Sequence, residues 1–477
     1  MSKTEKSSKI KHSACPAAKT NPAADRISRV QVSIKSHIWV IAIFTGMLLF
    51  SACSFNLDTM RSLFIQASST PDQKPAITPS PFLQEEEALV TVSPQSADEI
   101  TNQHILTLWI PPQFDPENGT QAGTLFKNRL DSFMKDYPNV QIDVRIKSVS
   151  GPGGLLESLT TTSAAAPDAL PTLILLNRSA LETASLKGMI SPLDELSDAI
   201  DDPDWYDYAR ELAIIQGTVY GLPFTGDAAL LVYRPVNFPA IPNDWETIQA
   251  LQQPIIFPAA DPEGLLTLTL YKSLGGAIQD TQLRPTLDAE KLSVVFKLYE
   301  DNARNAIFSS GITQYQTDSQ AWQAYKDQNA NAIITWCSRY LTELPADSTA
   351  LPLPTLGDKG YTVADGWMWA LAGTDPERKI LGTTLVEYLV DGAFLAEWSP
   401  QIGYLPVKPS SLNAQTNQNL RSLLNQIVVT SHVRPANDLT TTIGPIVQEA
   451  AVQLIKRQTN AVDASLAAVE KLTPAEQ

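Results

Sequence analysis

The chain has 477 residues, of which 43% are hydrophobic and 18% charged, and its formal net charge is −16 at pH 7. This composition excludes a largely disordered chain, and the acidic balance excludes nucleic acid as the expected partner, because phosphate backbones require clustered Lys and Arg. With only three Cys and four His, at scattered positions, we expect no metal site, no cofactor and no disulfide framework.

The N-terminal segment predicts export. Residues 1–52 carry eight basic and two acidic groups and include a 13-residue apolar run, residues 38–50. A basic leader before so short a run is typical of a signal peptide rather than of a membrane-spanning helix. The segment Ser51-Ala52-Cys53 resembles a bacterial lipobox, which predicts a lipid on Cys53. An uncleaved signal anchor is the alternative; either way the body lies at the extracytoplasmic face of the cell membrane, because positive charge stays inside.

A low-complexity segment follows the lipobox. Residues 53–103 are rich in Ser, Thr and Pro and lack sustained apolar periodicity, which predicts a flexible tether between membrane and folded body. In the mature chain Cys337 would then have no partner for a disulfide. We expect it to be buried and inert.

The folded body opens with alternating strands and helices. Residues 105–110 form an apolar run of strand length, residues 124–137 have helical spacing, and residues 140–146 alternate with period two. A further helix ends near residue 165, and residues 170–176 predict another buried strand. This order predicts an α/β fold with parallel crossovers.

Short motifs then follow one another along residues 104–470. They are Leu106-Thr-Leu-Trp109, Phe133–Val140, Ala166-Pro-Asp168, Lys187–Asp194, Tyr220–Phe224, Leu230–Arg234, Trp245-Glu-Thr247, Ala332–Trp336, Asp365-Gly-Trp367 and Gly403–Pro406. In this order they resemble the motifs of extracellular solute-binding proteins of the maltose-binding type. The resemblance implies a two-lobed periplasmic-binding-protein-like fold with a ligand cleft, no catalytic activity, and delivery of the solute to an ABC transporter permease.

The resemblance also predicts the domain organisation. Hinge crossovers are expected near residues 224–228, 352–361 and 403–407, where Gly and Pro make a change of direction inexpensive. Each lobe would contain two chain segments: residues 104–224 and 361–402 in the first lobe, and residues 228–352 and 404–470 in the second, with residues 471–477 as a tail. We expect a monomer.

A sugar site needs aromatic faces that stack on pyranose rings, together with polar groups that bond their hydroxyls. Candidates at positions that match the family are the aromatic residues Trp109, Phe224, Trp336, Trp367 and Tyr404 and the polar residues Thr225, Asp227 and Asp365. Packing in the core is the alternative for the aromatic residues, and a plain turn is the alternative at Asp227. We expect Trp336 and Trp367, from opposite lobes, to sandwich a sugar ring.

Four functions remain to be compared. The favoured one is a lipid-anchored extracellular protein that captures a small solute, a sugar or oligosaccharide. An extracellular carbohydrate-active hydrolase would need two carboxylates flanking the scissile bond, and the sequence has no Gly-x-Ser-x-Gly or His-Glu-x-x-His motif. A polyamine binder would use the same aromatic walls and pair its ammonium groups with Asp227 and Asp365. A surface scaffold or adhesin is the fourth possibility.

Overall fold

A computed structural model describes residues 103–193 and 197–473 of the chain. The predicted signal peptide, the lipid attachment at Cys53 and nearly all of the predicted tether lie outside the described residues. Contacts group Ser96–Gln477 into one compact unit. No helix in the described part of the chain is both long enough and apolar enough to cross a membrane.

The described strands form one large mixed sheet and a small hairpin. They are β1 (His104–Ile110), β2 (Val140–Ile146), β3 (Leu173–Asn177), β4 (Ile214–Ile215), β5 (Thr218–Val219), β6 (Leu222–Tyr233), β7 (Ile255–Ile256), β8 (Ala332–Trp336), β9 (Thr349–Pro352), β10 (Thr362–Leu371) and β11 (Ser431–Val433). The main sheet has the order β2-β1-β3-β10-β6-β8-β7, with β11 beside β10 and β9 beside β6. Strands β4 and β5 form the hairpin.

Helices surround this sheet. They are α1 (Gln121–Asp136), α2 (Leu155–Ala165), α3 (Arg178–Leu186), α4 (Asp207–Ala213), α5 (Trp245–Leu251), α6 (Leu265–Ser273), α7 (Ala289–Arg304), α8 (Asp318–Lys326), α9 (Cys337–Glu343), α10 (Pro376–Leu389), α11 (Gly392–Ile402), α12 (Pro409–Asn413), α13 (Gln418–Thr430), α14 (Asn437–Ile455) and α15 (Ala461–Glu470).

The opening of the fold confirms the predicted alternation. Strand β1 pairs in parallel with β2 along its whole length and with β3 on its other edge. Between β1 and β2, helix α1 buries Phe126, Leu130 and Phe133, which share one helical face. Its first turn is capped by Thr120, whose Oγ1 accepts a hydrogen bond from the backbone of Gly123 at 3.0 Å.

Strand β6 joins the two halves of the sheet because it changes partners along its length. Residues 222–228 pair antiparallel with β10, whereas residues 229–233 pair with β8 and β9. Near this change Gly226 exchanges two backbone hydrogen bonds of 2.8 Å with Leu405. A Cβ on Gly226 would overlap the ring of Tyr208, so this close approach requires glycine. The residue bounds of the two lobes stay a prediction.

An aromatic core fills the space beneath β6 and β10. Phe224 stacks on Trp398 with 4.2 Å between ring centroids, and both Phe126 and Trp369 pack against Phe224. All four side chains are buried. The expectation that Phe224 contacts a ligand is therefore corrected, because these neighbours cover its ring.

Candidate functional site

A cavity of about 330 Å³ lies where β6, β8 and β10 meet. Segments from both predicted lobes line it. Its charged side chains are Asp227, Asp261, Glu263, Asp318, Asp365, Arg339 and Arg434, and its other polar or aromatic side chains include Asn177, Gln316, Trp336, Ser338 and Trp367. Five carboxylates against two guanidinium groups make the cavity acidic.

Two strand ends supply walls of this cavity. Asn177 ends β3 immediately before α3, and Trp336 ends β8 immediately before α9. Ligands of open α/β sheets bind at the carboxyl ends of strands, because the loops and helix starts there leave a crevice. The Asn177 side chain accepts a hydrogen bond from Ala180 at 3.0 Å and so caps α3.

Asp227 caps the helix that follows Trp336. The tryptophan stands at the N-cap position of α9 and makes no capping bond. Oδ1 of Asp227 instead accepts hydrogen bonds from the backbone of Ser338 at 2.9 Å and of Ala228 at 3.0 Å, and Oδ2 accepts one from Ser338 Oγ at 2.5 Å. Burial raises the pKa of Asp227 to about 7 although these three donors lower it.

Asp365 occupies the equivalent position on β10. Its Oδ1 accepts hydrogen bonds from the backbone of Arg178, the first residue of α3, at 3.1 Å and from that of Gly366 at 2.7 Å. Its Oδ2 lies 3.4 Å from Nη1 of Arg434, whose Nη2 donates to Glu263 at 2.6 Å. Burial acts to lower the pKa of Arg434, but the two carboxylates together raise it above its ordinary value. Arg434 therefore stays charged beneath the cavity.

Asp318 and Arg339 form a second charged pair at the cavity wall. Asp318 begins α8 and accepts a hydrogen bond from Thr335 at 2.5 Å through Oδ1. Its Oδ2 accepts one from Arg339 Nε at 3.1 Å, and Arg339 Nη2 also donates to Ser319 at 2.9 Å. The Arg339 side chain is 36% exposed, so part of its guanidinium faces the space that a ligand would fill.

Asp261 completes the acidic lining. Its two oxygens accept backbone hydrogen bonds from Glu263 at 3.0 Å and from Leu265 at 3.1 Å, which fixes the turn before α6. Burial is the largest influence on this carboxyl and raises its pKa.

The structure brings four of the predicted site residues together and separates the others. Asp227, Trp336, Asp365 and Trp367 all line the cavity. Trp336 is partly exposed, whereas Trp367 is only 8% exposed and packs edge-to-face on Phe114 at 5.6 Å. The sandwich of a sugar ring between these two side chains stays a prediction, and of the two Trp336 is the more exposed.

Trp109, Thr225 and Tyr404 are not among the residues that line this cavity. The predicted ligand contact of Trp109 and Thr225 is corrected because both are buried, whereas that of Tyr404, which is only partly buried, stays a prediction. Trp109 is buried with Lys147 Nζ 4.4 Å from its ring centroid, and Thr225 is buried in β6. Tyr404 packs on Phe114 at 5.5 Å and borders a separate cavity at the third predicted crossover. Each of these side chains contributes to packing in the described structure.

Sequence reasoning missed part of the polar lining. Asn177, Asp318, Arg434 and the neighbours Asp261 and Glu263 come from four separate places in the chain and carry no motif. The sequence does mark two of these positions as ends of strand-like segments. Asn177 follows a predicted buried strand, and Arg434 stands between a segment rich in β-branched residues and a proline. Cys337 is buried, as expected.

The described residues hold no group of three or more His, Cys, Asp or Glu side chains that could bind a metal ion.

The chain belongs to the bacterial extracellular solute-binding proteins, whose family profile matches residues 128–421. No curated protein sequence matches the chain.

Solved structures of binding proteins share its fold. Maltose-bound MalE3 of T. maritima has 16% identity and a TM-score of 0.61 over 77% of this chain and 98% of its own. The sugar-binding protein MalE of Xanthomonas citri has 16% identity and a TM-score of 0.63 over 77% and 96%. UgpB of Mycobacterium tuberculosis, in complex with glycerophosphocholine, has 15% identity and a TM-score of 0.62 over 77% and 97%. The predicted two-lobed α/β fold is thereby confirmed.

Proposed function

We propose that this protein captures a sugar or oligosaccharide outside the cell and delivers it to the permease of an ABC importer. The proposal rests mainly on one observation: Trp336 and Trp367 line the same cavity as Arg339 and several carboxylates that are held in place by hydrogen bonds. An aromatic face stacks on the apolar face of a pyranose, and oriented charged groups bond its hydroxyls. Maltose in the T. maritima structure supports the same ligand class.

The residues that we expect to bond the sugar hydroxyls differ from the sequence-based candidates, Asp227 and Asp365. Both oxygens of Asp227 and both of Asp365 already face protein donors. Glu263 and Arg339 are more exposed, at 39% and 36% of their side chains. We therefore assign direct hydrogen bonds with the sugar to Glu263 and Arg339, and a positioning role to the two aspartates.

A thermal-shift panel tests this function. Mono- and oligosaccharides, polyamines and amino acids are added to the purified protein, and a binder at a hundredfold excess over its Kd stabilises it by about 2.7 kcal/mol. Stabilisation by a saccharide that weakens in Arg339→Met supports the proposal. Stabilisation by no saccharide contradicts it.

A polyamine is the second candidate, because five carboxylates and two guanidinium groups give the cavity an excess of negative charge. Spermidine and putrescine in the same panel decide between the two. Their stabilising effect would fall steeply with salt, whereas that of a neutral sugar would not. Incubation of the protein with a glycoside panel tests hydrolysis, and we expect no product.

We further propose that the mature protein is a monomer anchored by lipid at Cys53 on the extracytoplasmic face of the membrane. The lipobox-like segment and the family's extracellular character support the anchor and its location. Cys53→Ala should leave the precursor uncleaved or release the protein into the medium. Fractionation and mobility identical to wild type would contradict the lipid anchor.

A further inference from the structure

A second cavity, of about 70 Å³, adjoins the first one. The two cavities share Pro258, Asp261, Leu265, Asp318 and Trp336 as lining residues. Trp336 therefore stands between them. We call this second space the annex.

The lining of the annex is mostly apolar. Phe257, Leu266, Ile334 and Ala451 contribute to its walls, and each of these four residues except Leu266 is fully or nearly fully buried. Apolar walls of this composition favour contact with small apolar groups. The annex thus differs from the acidic cavity that it joins.

The hydroxyl groups of the annex already have protein partners. Thr269 donates to the Leu265 carbonyl at 2.6 Å, and Thr335 donates to Asp318 at 2.5 Å. Thr267 and Tyr299 bond each other at 3.0 Å. The other polar side chains that line the annex are Asp261 and Asp318, which it shares with the acidic cavity, and Gln448. Away from these three side chains, a polar group entering the annex would lose its own water without gaining a ready partner, which is costly.

We propose that the annex binds an apolar substituent of the captured solute, so that the solute is a glycoside with an alkyl or phenyl aglycone rather than an unsubstituted sugar. This rests on the proposed carbohydrate function for the polar part of the ligand. Trp336 then contacts both parts, stacking on the sugar with one side and bordering the apolar group with the other. At about one non-hydrogen atom per water-sized volume, the annex holds roughly five to seven such atoms.

Benzene, which has no sugar, tests the annex by itself. Saturation-transfer NMR on the full chain should show benzene binding to wild type, and Ala451→Leu should abolish it by filling the annex. Ala450→Leu is the matched control, because Ala450 is the neighbouring buried alanine of α14 and does not line the annex. If Ala451→Leu does not fold, Ile334→Phe fills the annex from another of its lining residues.

Methyl and butyl glycosides of the panel sugars then test whether the annex binds the apolar substituent of a solute. The butyl glycoside should bind about 10- to 60-fold more tightly than the methyl glycoside in wild type, and equally in the filled variant. Absent benzene binding, or equal affinity of both glycosides in wild type, overturns the proposal. Benzene binding without binding of any saccharide or glycoside would refute the carbohydrate function and leave an apolar site.

Discussion

Asp227 and Asp365 lie directly opposite each other on the antiparallel strands β6 and β10, and each caps a different helix. Asp227 binds the start of α9, and Asp365 binds the start of α3. Like charges placed opposite each other in a sheet repel. Two features reduce this repulsion: Arg434 pairs with Asp365, and the raised pKa of Asp227 keeps that carboxyl partly protonated near neutral pH.

The protonation of Asp227 should make stability depend on pH. Its pKa is about 7 in the folded protein against an ordinary value of 3.8, so the folded state binds the proton more tightly than the unfolded state. Stability from this group is therefore fully present below about pH 4 and is lost as the pH rises toward 7. In Asp227→Asn this contribution is absent, and the decline in Tm between pH 4 and 7 should flatten.

Calorimetry between pH 4 and 8 measures this effect. Asp201→Asn, at an exposed position, is the control and should keep the wild-type profile. Ser338→Ala removes the hydroxyl that donates to Oδ2 and should move the decline to higher pH. An unchanged profile in Asp227→Asn would show that another group titrates.

The two cavity tryptophans should respond differently to truncation. Trp336→Ala should weaken sugar binding about 5- to 150-fold with little change in Tm, because its ring is partly exposed. Trp367→Ala should also lower the free energy of unfolding by roughly 3–5 kcal/mol, because its ring packs on Phe114. For both variants, titration with the sugar gives the affinity and urea unfolding gives the free energy of unfolding.

Trp245→Ala provides the matched control for these substitutions. Trp245 is buried, and its Nε1 donates a hydrogen bond of 3.1 Å to the Pro354 carbonyl. It does not line the cavity. It should lose stability and keep full affinity per folded molecule. Unchanged sugar affinity in Trp336→Ala would show that Trp336 does not stack on the sugar.

Removing the charge of Arg434 should lower stability strongly. Arg434→Met leaves Asp365 and Glu263 without their shared cation, and breaking a buried pair in this way costs about 3–5 kcal/mol. Adding Glu263→Gln should recover part of that loss. Arg145→Met removes an exposed pair with Asp143 and should cost under about 1 kcal/mol in the same urea titration. Similar losses in both single variants would contradict the structural role of Arg434.

Gly226 should not tolerate a side chain. In Gly226→Ala the new Cβ overlaps Tyr208, whose hydroxyl donates to the Pro406 carbonyl at 2.7 Å. We expect a loss of about 1–3 kcal/mol, since the buried ring of Tyr208 would have to move. Gly311→Ala meets only ordinary contact at 3.5 Å and should be nearly neutral. A wild-type melting curve for Gly226→Ala would mean that the Tyr208 ring moves aside without loss of stability.

The sequence by itself determined the local elements and the fold class. The alternation of residues 140–146 and the apolar runs on either side predicted β1, β2 and β3, and the order of motifs predicted the two-lobed fold. These features depend on neighbours close in sequence, because the period of apolar side chains is set by the geometry of the element itself.

Only the tertiary structure decided which residues face the cavity. Trp336 and Phe224 both lie in apolar strand segments, yet Trp336 ends β8 at the cavity while Trp398 covers Phe224. Arg434 reaches Glu263 across 171 positions of sequence. The physical reason is that burial and charge pairing depend on elements that folding brings together, and no local period encodes those distances.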